Sequence, residues 1–280
     1  MGMTINTNVM SLNAQRNASA TDNALATSLQ RLSSGLRVNS AKDDAAGLAI
    51  ASKMDAQARG MNVAIRNSND GISLVQTAES GMAVIGDMLQ RMRELSVQAT
   101  NGTNTSGDLV AINQEYKQLQ SEIMRTMSSV QFNGTSLLDT TNSFDFQIGA
   151  NSAQTLSIAS SDISITAGLA TISAAASALY STASNGASAN SANIVAIDDA
   201  ISAMNSSRAV LGAVQNRLNY TISFLQSASE NQQAARGRIM DADFAQETAD
   251  LSRAQILKQA GTAMVAQANQ LPQGVLALLK

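Results

Sequence analysis

Two short clusters, Lys42-Asp43-Asp44 and Asp241-Ala242-Asp243, carry the residue types best suited to chemistry in this sequence. Neighbouring carboxylates can serve as general acid and base, or contribute oxygens to a divalent cation. The rest of the composition works against both uses. The chain has no His and no Cys, which removes imidazole acid–base catalysis, Ser-His triads, thiolate nucleophiles, His-metal sites and disulfides together. An enzyme would have to run on carboxylates or Lys alone, and no further acidic residues converge on either cluster. The expected roles are turns, helix caps and ion pairs, with no catalytic residue, no metal and no cofactor. Asn-x-Ser/Thr recurs, for example at Asn17, Asn101, Asn104 and Asn133. So short a motif arises often by chance in a chain this rich in Ser, Thr and Asn. The 13 Met residues fall largely at helical spacing and read as core or interface filler.

The elements that carry these residues are helical. Hydrophobic residues make up 44% of the 280, yet aromatics are only 3% and Trp is absent. Apolar volume from Ala, Leu, Ile, Val and Met suits long helices packed side by side, and a single Pro leaves helix interiors unbroken. A net charge of −3 and a pI near 5.0 give no basic patch for nucleic acid. The most apolar stretch, Ile163 to Tyr180, is interleaved with Ser and Thr, which argues against membrane insertion. The start, MGMTINTNVM, lacks the basic and apolar regions of a secretory signal.

Apolar spacing locates the helices. Leu25, Leu29, Leu32 and Leu36 step by three and four near one end. Ala254, Leu257, Gly261, Met264, Ala268, Leu271, Val275 and Leu278 do so near the other, alternating small or β-branched with large residues. Such narrow stripes need a partner helix, from the other terminus or from another subunit. Pro272 should kink or interrupt the second stripe. Between them, Leu74, Ala78, Gly81, Ile85, Met88, Met92, Leu95 and Ala99 form one face of a long helix, and Ile72, Val75, Met82 and Leu89 a second. Leu109, Ile112, Tyr116, Leu119, Ile123 and Met127 mark the next helix, with Asp108 as its expected cap. Ile194, Ile197, Ile201, Met204, Leu211, Leu218, Ile222 and Leu225 mark the last. Phe144, Phe146 and Ile148, then Leu156 and Ile158, alternate with polar residues across GANSAQ and predict a β-hairpin. Residues 160–193, rich in Ala, Ser, Thr and Asn, read as a surface excursion, partly helical around 169–180.

These segments are similar to bacterial flagellins. QRLSSGLRVNSAKDDAAGL from Gln30 resembles the family signature, and INTNVMSLNAQRN from Ile5 its N-terminus. QRMRELSVQATNGT from Gln90, FNGTSLL from Phe132 and FQIGAN from Phe146 resemble its core. RGRIMDADFAQETADLSRAQILKQAGTAMVAQANQLPQGVLALLK from Arg236 resembles its C-terminus. The resemblance implies a mainly α fold: a long antiparallel bundle or coiled coil with a small β-hairpin region and paired terminal helices. It divides the chain into a terminal segment (1–45), a core (46–160), a short excursion (161–190) in place of the outer domain of larger relatives, a return helix (191–238) and a second terminal segment (239–280).

The function implied is that of a structural subunit of the extracellular filament, polymerising through a seam of Leu25, Leu29, Leu32, Leu36, Leu257, Met264, Leu271, Val275 and Leu278. The resemblance also implies export of the unfolded chain through the flagellar type III channel. Implied partners are an export chaperone, the filament cap, hook-junction proteins and host flagellin receptors. For the vertebrate Toll-like receptor the corresponding residues are Arg91, Leu95 and Glu115. The segment from Gln30 to Ala51 resembles the peptide bound by the plant receptor kinase. Two rivals share parts of the pattern: a hook-filament junction protein, and a non-flagellar coiled-coil module, which would not need both terminal signatures.

Overall fold

The computed structural model describes residues 7–138, 143–159 and 186–278, with side chains described for 7–138, 143–159 and 191–270. Five helices and four short strands occur among them: α1 Val9–Ser34, α2 Ala45–Ala99, α3 Ser106–Ser129, β1 Gln131–Phe132, β2 Thr135–Ser136, β3 Phe144–Gln147, β4 Thr155–Ile158, α4 Gly186–Met240 and α5 Phe244–Leu278. The excursion expected at 160–193 lies outside the described residues up to 185, and α4 already begins at Gly186. The chain divides into two compact units, Met1–Ala56 with Glu230–Lys280, and Gln57–Ser229.

The second unit holds the main core. Both expected faces of α2 are buried: Leu74, Ala78, Ile85, Met92, Leu95 and Ala99 on one, Val75, Met82 and Leu89 on the other. They pack with Ile112, Tyr116, Ile123 and Met127 of α3 and Ile197, Met204, Leu211 and Leu218 of α4. One helix serves two neighbours, so its apolar surface needs two stripes. Within this unit α2 and α4 run antiparallel. Arg93 grips Asp198 through Nε and Nη2 at 2.6 and 3.3 Å, and further along Arg208 lies 3.8 Å from Glu79.

Turn chemistry fixes the small strands. Asn133 and Gly134 both adopt positive φ, 50° and 79°. This suits the tight hairpin that pairs β1 with β2. The second hairpin pairs Phe144 with Ile158 and Phe146 with Leu156, so the apolar residues of both strands share one face. Leu156 and Ile158 are buried in the core. The expected cap at Asp108 is corrected by one turn's start. Thr105 is the N-cap, and Asp108, three residues on, completes a capping box. The Thr105 hydroxyl and its backbone N–H both donate to the Asp108 carboxylate, and those bonds hold its pKa below the ordinary carboxylate value.

Tyr116 is fully buried, and its hydroxyl has no hydrogen-bond partner among the described residues. Burial pushes its pKa up to about 12. The folded chain therefore holds this proton more tightly than the unfolded one. The associated stability is intact below about pH 10, the ordinary tyrosine value, and is lost as pH rises toward about 12. Tyr116→Phe should remove that alkaline slope. At neutral pH it should be neutral or stabilising by about 1 kcal/mol, since an orphaned buried hydroxyl is removed. Urea unfolding from pH 7 to 11 checks this; identical slopes in both proteins would contradict it.

Candidate functional site: the paired terminal helices

In the first unit α1 and α5 lie antiparallel, with Cα atoms repeatedly within 8 Å of one another. Small side chains permit this approach, because interaxial distance follows the residues at the contact. The buried residues of α1 are Ser11 and Ser28, and those of α5 include Ala254 and Ala268. Gly261 sits opposite Ala18. Polar bonds set the register from end to end. Asn8 Nδ2 donates to the Ala268 carbonyl (2.7 Å), and Ser11 Oγ donates to Asn269 Oδ1 (2.7 Å). Lys258 lies 3.0 Å from Asp22, and Arg31 lies 3.8 Å from the buried Glu247.

The pair closes on a clasp. α1 ends at Gly35, whose φ of 70° is the left-handed conformation that favours glycine, and whose N–H donates to the Arg31 carbonyl. Leu36 then bridges to Asp241 in an antiparallel step. Arg37 N–H donates to the Met240 carbonyl, Ala242 N–H to the Gly35 carbonyl, and the Arg37 guanidinium to the Ile239 carbonyl. Val38, Ala51 and Met240 form a small core beneath. The acidic clusters serve this scaffold. Asp43 accepts from Ser40 N–H, Asn39 N–H and the Ser40 hydroxyl. These bonds, the Ser40 amide foremost, hold its carboxyl below the ordinary range. Asp44 accepts from Gly47 N–H at the start of α2, and Asp243 from Ala245 and Gln246 N–H at the start of α5. No group of three or more metal-ligating side chains occurs among the described residues.

The predicted seam divides under this geometry. Leu25 and Leu32 are half-buried on α1, while Leu29 is exposed. Leu36 does not continue the helical stripe as expected, because the helix stops at Ser34 and the chain turns at Gly35; it packs partly buried on the Val38 cluster. On α5 the small members of the alternation face α1, whereas Leu257 and Met264 stay 50% and 63% exposed. Leu271, Val275 and Leu278 lie in α5, outside the residues whose side chains are described. The helix runs through Pro272 to Leu278, so the expected interruption is not found there. Sequence reasoning missed Val9, Met10, Leu12 and Ile256, all exposed on the same pair. They lie off the narrow stripe, and their lack of cover is visible only once the partner helix is in place.

In the second unit Arg91 and Glu115 meet at 2.9 Å across α2 and α3, and Glu94 also accepts from Arg91 at 2.9 Å. These carboxylates, Glu94 first, raise the Arg91 pKa. Leu95 is separated from them by burial, at 2% exposure within the core.

The described residues define a mainly helical protein whose terminal helices pair closely and carry exposed large apolar side chains. Residues 5–143 match the family model for the bacterial flagellin N-terminal helical region, and residues 194–279 that for the C-terminal helical region. The flagellin of Halalkalibacterium halodurans is 47% identical over 279 residues, covering 99% of this chain and 100% of that one. The flagellar filament 33 kDa core protein of Treponema phagedenis is 43% identical over 290 residues, again covering 99% and 100%. The solved structure of a putative flagellar hook-associated protein from Vibrio parahaemolyticus shares the fold, with a TM-score of 0.60 at 14% identity over 71% of this chain and 100% of that one. The chain belongs to the bacterial flagellin family. It is accordingly a structural protein of the extracellular flagellar filament and not an enzyme. No helix among the described residues is long and apolar enough to cross a membrane.

The clasp yields a direct test. Gly35→Val forces a β-branched residue into left-handed backbone, at a cost of about 1–2 kcal/mol. Amide hydrogen exchange at the end of α1 should accelerate about five- to thirtyfold. Unchanged exchange there would show that the turn does not hold the pair.

Proposed function

We propose that this chain polymerises through the apolar side chains that the pairing of α1 and α5 leaves uncovered. The observation that carries the reading is the division of labour on α5: small residues pack against α1, and Ile256, Leu257 and Met264 stay half or more exposed. Full burial of such a side chain from water contributes about 1.5–3 kcal/mol, and with half or more of each still exposed a neighbouring subunit can supply half or more of that gain. In this reading the contact is head-to-tail between unlike surfaces, and with a rotation that does not close into a ring a single subunit type builds an open helix. Leu25, Leu29, Leu32, Leu271, Val275 and Leu278 belong to the same proposed seam, and Leu36 supports it from the clasp. The segments 1–45 and 239–280 form the inner part of the filament in this reading, and 46–160 with 191–238 the core around them.

The family resemblance extends the proposal to delivery and partners. The chain leaves the cell unfolded through the flagellar type III channel, guided by an export chaperone, and adds beneath a filament cap beyond the hook-junction proteins. The contact between the terminal helices is made by small side chains, Ser11, Ser28, Ala254 and Ala268 among them, and a contact with little large apolar burial favours unfolding for export. A junction protein remains the alternative by fold alone.

Leu257→Asp tests the seam. The residue is half exposed in the single chain, so circular dichroism of the monomer should not change. A carboxylate buried against a neighbour costs several kcal/mol, so seeded polymerisation should fall by at least about a hundredfold. Wild-type filament yield would remove Leu257 from the interface.

Host recognition is proposed at the Arg91–Glu115 surface, where a planar guanidinium and its carboxylates are accessible. Leu95 supports this surface from within the core and is a poor probe, since truncating it would disturb packing. In a Toll-like receptor reporter assay, Arg91→Ala monomer should lose about tenfold or more in potency. An unchanged dose response would show that the assignment is wrong.

A further inference from the structure

Thirteen methionines occur in the chain, and their exposure is uneven. Met82, Met92, Met127, Met204 and Met240 are buried. Three of the described methionines are exposed: Met10 at 66%, Met264 at 63% and Met124 at 49%. Met124 stands on α3 in the second unit. Met10 and Met264 come from opposite ends of the sequence, yet both line one groove of about 440 Å³ along the α1–α5 pair, with Ala14, Ala18, Leu257 and Gly261. Met10 follows the first residue of α1, and its neighbours Asn8 and Ser11 are tied to Ala268 and Asn269. The antiparallel pairing therefore brings residues from opposite ends of the sequence into one groove.

We propose that Met10 and Met264 form an oxidation-sensitive modification site that controls assembly of the subunit. The modifying reagent is a peroxide. The thioether sulfur attacks one peroxide oxygen, the O–O bond breaks, an S–O bond forms, and water leaves after proton transfer. Each sulfur loses two electrons and each peroxide gains them, so one equivalent of peroxide yields one sulfoxide and one water. The buried methionines are shielded by packing. Oxidation turns two flexible apolar side chains into polar hydrogen-bond acceptors. The free chain tolerates this, because both face solvent and the amides of Asn13 and Gln267 line the same groove. Assembly does not tolerate it, because a neighbour covering the groove must strip water from both sulfoxides. The change is reversible, since sulfoxide reductases return the thioether at the expense of a dithiol. This proposal rests on the reading of the α1–α5 surface as the polymerisation seam.

The experiment uses the full chain in four forms: wild type, the double variant Met10→Leu/Met264→Leu, Met124→Leu, and Met264→Gln. Monomers are treated with hydrogen peroxide, sulfoxides are located by peptide mass spectrometry, and elongation is measured on untreated filament seeds. In the wild type, Met10 and Met264 should be modified ahead of the buried methionines. Elongation should fall by about tenfold or more and return after treatment with sulfoxide reductases and dithiothreitol. Each protein is compared with its own untreated rate: the double Leu variant should show no further loss after peroxide, and Met124→Leu should lose elongation like the wild type. Equal loss in wild type and double variant would place the effect on other methionines and overturn the proposal. So would full elongation by wild type carrying both sulfoxides. Untreated Met264→Gln separates the two levels: impaired elongation keeps the seam even if oxidation proves harmless, and normal elongation removes Met264 from the seam altogether.

Discussion

The close approach of α1 and α5 is the constraint on which the terminal part of this protein depends. Small facing side chains let two helices approach closely along their length. Here those residues are Ser11, Ala18 and Ser28 on one helix and Ala254, Gly261 and Ala268 on the other. Such a contact buries little apolar area, so it fixes register more than it stabilises. Asn8, Ser11, Asp22 and Arg31 each find a polar partner in order along α5, and the clasp at Gly35–Val38 stops the pair from sliding. The consequence is chemical economy of a particular kind. The residues that could contribute most on burial are held out of the contact and left for another chain.

The second unit is built on the opposite choice. Leu, Ile, Met and Tyr side chains fill the space among α2, α3, α4 and the second hairpin, and burial of this kind gives a core that stands without neighbours. The acidic residues that first suggested chemistry work as structure. Asp43 and Asp44 bind backbone amides around the turn into α2, and Asp243 caps α5. A carboxylate that already accepts two or three amide hydrogens is satisfied as a structural group.

Much of this was legible in the sequence, because helical and strand periods are local properties. The two-faced stripe of α2 and the Phe144–Ile158 hairpin follow from spacing; at the termini spacing asks only for a partner helix, and the family resemblance names the other terminus as that partner. What spacing cannot report is which neighbour covers a given face. Leu257 and Met264 looked like members of a paired seam, and the pair is closed without them. Met10 and Ile256 lie off the stripe, though they are as exposed as any residue on it. Leu36 was counted as helical because it lies four residues after Leu32, whereas one left-handed glycine ends the helix before it. Thr105 lost to Asp108 as the expected cap because both residues of a capping box look alike from sequence. Arg91 and Glu115 were linked only by family resemblance, and the fold brings them to 2.9 Å.

The most direct measurement is a side-chain-resolution electron cryomicroscopy map of the filament grown from this chain. The account predicts that Leu12, Leu29, Ile256, Leu257 and Met264 each lie against a neighbouring subunit, while Ala254, Gly261 and Ala268 remain against α1 of their own chain. A map in which those large side chains face solvent, with subunits joined through other surfaces, would contradict it.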